Sequence, residues 1–87
     1  MEGPYLEVDL PERFRLEGLD SDQEWIAWGV FLASGFSRLD DGAYVCTAHG
    51  GVPVWIRCVA KHEDHIEAVD GGGERFTYRL VPIDPAG

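Results

Sequence analysis

Basic residues are scarce in this 87-residue chain: seven lysines and arginines stand against sixteen acidic residues, giving a net charge of −9. The acids are concentrated at both ends, with eight against two arginines in residues 1–24 and six against two in residues 63–87. A chain this acidic repels nucleic acid and anionic membranes, which argues against direct binding to either. The charge instead predicts a basic protein surface as the partner.

Cysteines and long hydrophobic runs are also few. Two cysteines do not form the disulfide framework of a small secreted protein, and they suit a reducing compartment as buried thiols. The opening "MEGPYLEVDL" is acidic where a secretory leader needs basic residues. The longest uncharged stretch, "WIAWGVFLASGFS", has 13 residues, against the roughly 20 that cross a bilayer. These absences predict a cytoplasmic protein, and the length predicts a single domain over residues 1–87.

The first half of the chain predicts strand followed by helix. Alternating apolar and polar residues in "PYLEVDLPERFRLEG" predict one or two short strands. In "LDSDQEWIAWGVFLASGF", Ser21 followed by Glu24 matches a capping box, which predicts a helix over about 22–35. The competing interpretation of that segment is a strand, because Trp, Ile, Val and Phe favour strands and Gly29 weakens a helix.

The second half predicts an antiparallel meander. Four β segments, "AYVCTA", "VPVWIRCVAK", "HIEAVD" and "ERFTYRLV", are separated by "HGG", "HED" and "GGG". A three-residue loop at 49–51 places Cys46 opposite Val54 and Tyr44 opposite Ile56, which keeps one face apolar. We therefore expect an α+β fold, with the helix packed on a four- or five-stranded antiparallel sheet formed mostly by this C-terminal meander.

The cysteines and histidines raise the question of a metal site. The spacings Cys46-x2-His49 and Cys58-x3-His62 resemble those of Cys2His2 zinc sites. The predicted register opposes such a site, because it buries both cysteines, places the histidines in loops and separates Cys58 from the His49 loop by roughly 20 Å or more. No metal or other cofactor is therefore predicted. A small zinc domain using Cys46, Cys58 and the nearby histidines stays as an alternative.

The motifs for catalysis are weak. "HEDH", from His62 to His65, is one residue short of the metalloprotease motif and lies in a turn. "DGGGE" precedes a strand, whereas phosphate-binding loops lead into a helix. The sequence has no Gly-x-Ser-x-Gly elbow for a nucleophile. The protein is therefore predicted not to be an enzyme, although a small enzyme or ligand carrier with a pocket between helix and sheet remains a second alternative.

What remains is a surface for binding. The predicted contacts are an outward-facing tryptophan and the acids of two hairpin loops: Trp55, Glu63, Asp64, Asp70 and Glu74. They predict a small acidic, non-catalytic protein-binding module. Its concrete form would be an inhibitor or immunity-type protein that blocks a basic or nucleic-acid-binding surface of a target, as phage-encoded antagonists do.

Overall fold

The computed structural model describes residues 4–47 and 51–84 and shows two antiparallel sheets. The strands are β1 (Arg13–Leu19), β2 (Trp25–Leu32), β3 (Ser37–Arg38), β4 (Tyr44–Thr47), β5 (Pro53–Ile56), β6 (Cys58–Lys61), β7 (Ile66–Val69) and β8 (Arg75–Pro82). The larger sheet has the order β2-β1-β8-β7-β6, and the smaller one has the order β3-β4-β5. None of the described residues belongs to a helix long and apolar enough to cross a membrane.

The predicted helix over 22–35 is wrong, and so is the α+β fold class. Those residues form the end of a hairpin turn, strand β2 and a single 3-10 turn at Ala33–Gly35. The Asp20 carboxylate accepts hydrogen bonds from the backbone N–H groups of Asp22 and Glu24, both at 2.9 Å. Ser21 and Glu24, which matched a capping box, therefore lie in a turn that Asp20 closes between two strands. The protein is mostly β.

A β-bulge hides the alternation that would have marked β2 as a strand. Residues 13–16 pair with residues 29–32, whereas residues 17–19 pair with residues 25–27, so Trp28 is left without a partner on β1. The extra residue changes the parity of side chains along the strand. Ile26 and Trp28 therefore lie on one face of the sheet, and Val30 and Leu32 lie on the other.

The meander was predicted correctly within its first hairpin. Strands β4 and β5 pair Tyr44 with Ile56 and Cys46 with Val54, as the three-residue loop required. Residues 48–50, which contain most of that loop, lie outside the described residues. The segment "VPVWIRCVAK" is not one strand, however, because it breaks at Arg57. Its first half belongs to the smaller sheet and its second half to the larger one.

The core lies between the two sheets. Tyr44 and Ile56 of the smaller sheet pack with Cys58 and Ile66 of the larger one, and Val8 from the N-terminal segment completes the cluster. We call the side of the larger sheet that meets this core its inner face, and the opposite side its outer face.

Hydrogen bonds hold the N-terminal segment against this core. The Tyr44 hydroxyl accepts a hydrogen bond from the Val8 N–H at 3.0 Å. The Leu6 N–H donates to the Cys58 carbonyl at 2.9 Å, and the Tyr5 N–H donates to the Asp41 carbonyl at 2.7 Å.

Candidate functional site

The inner face of the larger sheet extends beyond the part that the core covers. Phe14 and Leu16 on β1 are 0% and 1% exposed. Two residues further along β1, Gly18 is the cross-strand neighbour of Ile26 on β2 and of Tyr78 on β8. At that level Ile26 is 50% exposed and Trp28 is 58% exposed. The apolar face therefore continues into solvent at this end of the sheet.

These residues form a groove of about 320 Å³. Its lining is mainly apolar and aromatic: Gly18, Leu19, Asp20, Ile26, Trp28, Phe76, Thr77 and Tyr78. Grooves of this size with an apolar lining are typical binding sites for side chains of a partner or for small ligands.

Glycine at position 18 allows the indole of Trp28 to lie on the sheet. A Cβ added at Gly18 would lie 2.6 Å from Trp28 Nε1, closer than any side chain tolerates. The indole meets the Tyr78 ring edge-to-face, with ring centroids 5.7 Å apart, and the Phe76 ring stacks on Tyr78 at 6.1 Å. Three aromatic rings from β2 and β8 are thus packed side by side above β1.

The pKa of the Tyr78 hydroxyl reflects its partly buried position in the groove. Burial raises the pKa of its hydroxyl above the ordinary value, and the negative charge of Asp70 raises the pKa further. Both causes disfavour the phenolate.

Two acidic turns lie at this end of the sheet. Because β1 and β8 are antiparallel and Gly18 pairs with Tyr78, the turn that leaves β1 lies beside the turn that enters β8. The first turn is residues 20–24, "DSDQE", and the second is residues 70–74, "DGGGE". Together they place five carboxylates at this end of the sheet, of which Asp20 lines the groove: Asp20, Asp22, Glu24, Asp70 and Glu74.

The two turns share one structure. Asp20 Oδ1 accepts from the N–H groups two and four residues later, and Asp70 Oδ1 does the same at 2.8 and 2.9 Å. In each turn the first residue donates its N–H to the carbonyl of the glutamate. The fourth residue has positive φ, +65° at Gln23 and +84° at Gly73. Each aspartate thus holds its own turn, while Asp22, Glu24 and Glu74 are exposed.

The structure separates the five sequence-predicted contacts. Asp70 and Glu74 lie in the second acidic turn beside the groove. Glu63 and Asp64 lie in the turn before β7, at the opposite end of that strand. Trp55 is on the smaller sheet, 38% exposed.

The Trp55 ring has a charged neighbour. The Arg57 guanidinium lies over it, 4.4 Å from the ring centroid. A positive charge stacked on the ring occupies the face that an acidic module would offer to a basic partner.

Sequence reasoning missed Gly18, Phe76 and Tyr78 as site residues, and it considered Trp28 only for a pocket between helix and sheet. The pairing of β1 with β8 joins residues some 60 positions apart, and no local pattern indicates it. A usable signal was present in the spacing Asp-x3-Glu, which occurs at 20–24 and again at 70–74. Reading both as the same hairpin turn would have predicted strands on either side of each.

The histidines form a second cluster in the turn before β7. The imidazoles of His62 and His65 stack with centroids 4.4 Å apart. His62 Nε2 is 2.6 Å from Glu67 Oε2, and His65 Nδ1 is 2.6 Å from Asp64 Oδ1. These hydrogen bonds are the main cause that lowers the pKa of Glu67 and of Asp64.

A cavity of about 350 Å³ lies beside the histidines. Among the described residues that line it there is no serine, threonine or cysteine to act as a nucleophile. The cluster consists of two hydrogen-bonded pairs, His62 with Glu67 and His65 with Asp64.

The cysteines are separated as well. Cys58 is fully buried in the larger sheet, and this burial raises the pKa of its thiol. Cys46 is half-buried in the smaller sheet, and both thiols are free. Within residues 4–47 and 51–84, no three His, Cys, Asp or Glu side chains are grouped so that they could hold a metal ion. His49 lies outside the described residues.

The outer face of the larger sheet collects positive charge. Glu17, only 6% exposed, binds the guanidinium groups of Arg79 at 2.5 Å and Arg15 at 2.6 Å. The hydrogen bond from Arg79, followed by that from Arg15, lowers the pKa of the Glu17 carboxyl. Four of the seven basic residues lie on this face: Arg13, Arg15, Arg75 and Arg79. The groove on the inner face is therefore left with its negative rim.

Comparison of the chain with protein-family models, curated proteins and solved structures finds no match in any of the three.

Proposed function

We propose that this protein is a non-catalytic module that binds a basic surface of a partner protein through the aromatic groove. An apolar side chain of the partner lies on Trp28 and Tyr78. Lysine or arginine residues beside that side chain meet the carboxylates of the two acidic turns. The observation that supports this proposal is an exposed aromatic groove lined by Asp20, at the end of the sheet where two acidic turns lie.

The exposure of Trp28 is the first physical argument. Contiguous exposed apolar patches mark interaction sites, and Trp28 and Ile26 together form such a patch beside Tyr78; Trp and Tyr dominate the binding energy of protein interfaces. Burial of a tryptophan side chain that is 58% exposed provides an apolar anchor. The carboxylates add long-range attraction, which speeds association and selects basic partners.

The biological role that fits this surface is inhibition. A module with a net charge of −9 can occupy a basic surface that otherwise holds nucleic acid, in the manner of an immunity-type or phage-encoded antagonist. We place its action in the cytoplasm, because both thiols are free and a reducing compartment keeps them so.

This proposal assigns some of the sequence-predicted contacts to the binding surface and leaves the others outside it. Asp70 and Glu74 belong to the binding surface, and Asp22 and Glu24 join them. Trp55, Glu63 and Asp64 lie on other parts of the surface, so they provide matched controls for the variants below.

The test uses two synthetic peptides, Arg-Arg-Leu-Phe-Arg-Arg and Arg-Arg-Gly-Gly-Arg-Arg, titrated into ¹⁵N-labelled protein. We expect the first peptide to shift the Trp28 indole N–H and the backbone signals of Gly18 and Tyr78. The second peptide carries the same charge without the apolar anchor, so it should shift only the acidic turns, and at higher concentration. Shifts centred on Trp55 or Glu63, or no shifts up to about 1 mM peptide, would contradict the proposal.

Two matched pairs of variants locate the surface. Trp28→Ala should weaken binding of the first peptide at least tenfold, whereas Trp55→Ala should leave it unchanged, because the two tryptophans lie on different sheets. Neutralising Asp22 and Glu24 as Asn and Gln should reduce affinity and flatten its dependence on salt. The same neutralisation at Glu63 and Asp64 should have no effect on either quantity. Equal effects of the two members of a pair would show that binding is unspecific.

A further inference from the structure

We infer that β2 is a pairing edge for a second copy of this chain, which joins two larger sheets into one continuous antiparallel sheet. This inference goes beyond the proposed function, because it uses the backbone edge of β2 and not the groove. It starts from the composition of that edge. Strand β2 has eight residues, "WIAWGVFL", without a single charge, and among the described residues it pairs only with β1.

Such an edge is unusual in a soluble protein. Proteins normally protect edge strands with charged side chains, prolines or short length, because unpaired N–H and C=O groups recruit another strand. Here Val30 is 51% exposed and Leu32 is 53% exposed on the outer face. Both the backbone and the side chains of β2 are thus available for a further strand.

The bulge determines which backbone groups point outward. The Ala33 N–H donates to the Glu12 carbonyl, and the Asp20 N–H donates to the Glu24 carbonyl. Counting alternate residues from these two bonds directs the N–H and C=O groups of four β2 residues away from β1. They are Trp25, Ala27, Val30 and Leu32.

The spacing of these four residues selects the partner. Successive members lie two, three and two positions apart, because the bulge adds one residue in the middle. A regular strand directs its N–H and C=O groups toward a neighbour at every second residue. In one register it can therefore form hydrogen bonds with only two of these four residues. The spacing reads the same in both directions, so a second β2 running antiparallel matches all of it. Trp25 then pairs with Leu32 of the second copy, and Ala27 pairs with Val30.

The charges near this edge permit two acidic chains to meet. β2 itself is uncharged, and its outer-face neighbours on β1 include Arg15 beside Val30 and Arg13 beside Leu32. Glu17, beside Ala27, is held by two arginines. Glu24 and Glu12 flank the two ends of the edge, and Arg13, beside Leu32, lies next to the end that Glu24 of the second copy reaches. The twofold axis is perpendicular to the sheet, so the aromatic grooves of both copies stay open on the same side.

Sedimentation velocity of the full chain at about 0.15 M salt, where the Debye length is about 8 Å, tests this inference. We expect a reversible increase from 9.7 kDa to twice that mass as concentration rises from about 1 µM to 1 mM. Val30→Lys should hold the protein at the monomer mass. Val52→Lys is the matched control, since Val52 is 67% exposed and lies outside β2, and it should leave the dimer intact.

Amide hydrogen exchange on the unmodified protein tests the register independently. In the dimer the N–H groups of Trp25, Ala27, Val30 and Leu32 should be protected, and dilution should release these four while the N–H groups bonded to β1 stay protected. A monomer at every concentration overturns the inference, as does a dimer in which these four exchange freely. Because the exchange test needs no substitution, it decides the question even if Val30→Lys fails to fold.

Discussion

Replacing Gly18 with alanine should destroy the aromatic groove without destabilising the protein. The new Cβ would lie 2.6 Å from Trp28 Nε1, and ordinary contact begins at 3.4 Å. The indole must therefore move, and it has room to move because 58% of Trp28 is exposed. The backbone of Gly18 itself has no positive φ that would disfavour alanine.

The two effects of Gly18→Ala on the free energy of unfolding are similar in size and opposite in sign. Moving the indole breaks its edge-to-face contact with Tyr78, and such contacts contribute about 0.5–1.5 kcal/mol. Alanine in a strand is more stable than glycine by about 0.5–1 kcal/mol. The net change should lie within about 1 kcal/mol, which corresponds to a shift in Tm of about 5 °C for a domain of this size.

Binding should respond quite differently. We expect affinity for the Arg-Arg-Leu-Phe-Arg-Arg peptide to fall at least tenfold in Gly18→Ala, together with a large shift of the Trp28 indole N–H signal. Gly71→Ala is the control, because a Cβ there has no neighbour within 4 Å. If Gly18→Ala leaves both the indole signal and the affinity unchanged, the packing of Trp28 on Gly18 is not what forms the groove.

Three further outcomes follow from the structure. Gly42→Ala should lower the free energy of unfolding by about 3 kcal/mol, since φ is +91° and the new Cβ would lie 2.5 Å from the Tyr5 carbonyl oxygen; an unchanged urea midpoint would contradict that clash. The Cys58 thiol, fully buried and with a raised pKa, should react with a thiol reagent only as fast as the protein unfolds, which native-state labelling measures. The lowered pKa values of Glu17 and Glu67 stabilise the folded state at neutral pH, so the free energy of unfolding should fall as pH drops below about 4.5. Denaturant titrations from pH 7 to 3 would show this loss, and a constant free energy would refute it.

Local chemistry predicted part of the fold. The Gly-rich loop at 49–51 restricted the register, and the pairing of Cys46 with Val54 followed from keeping one face apolar. The salt bridge between Glu67 and Arg75, 3.1 Å long, likewise follows from strand neighbours on one face. These features depend on residues close together in the chain, where alternation and loop length are sufficient.

The helix was mispredicted because two devices resemble helical features. Asp20 closes a turn through side-chain bonds to the backbone N–H groups of Asp22 and Glu24, and Ser21 with Glu24 in that turn matches the residue types of a capping box. The bulge at Trp28 spreads apolar residues over both sides of β2, which resembles the wide apolar arc of a buried helix. Only the pairing of β2 with β1 distinguishes a bulged strand from a buried helix here. That pairing is tertiary structure, which the residues of the segment alone do not indicate.

The candidate site was predicted in part for the same reason. Asp70 and Glu74 could be recognised as exposed acids in a hairpin loop. The groove beside them requires Gly18 and Tyr78 to lie on adjacent strands. These two residues are far apart in the sequence, and only the pairing of β1 with β8 brings them together. The break at Arg57 was also invisible, because an uninterrupted β pattern does not show where a strand changes sheets.

The position of β1 between β2 and β8 has a consequence for biosynthesis. The β1–β2 hairpin can form early, but the apolar side chains of Phe14 and Leu16 have no neighbour on their other side until residues 75–82 have left the ribosome. During that interval an uncharged edge strand and an uncovered hydrophobic surface are exposed together. Both promote aggregation of a nascent polypeptide. Rapid translation of the intervening stretch, or a chaperone that shields the hairpin, should therefore raise the yield of folded protein in cells.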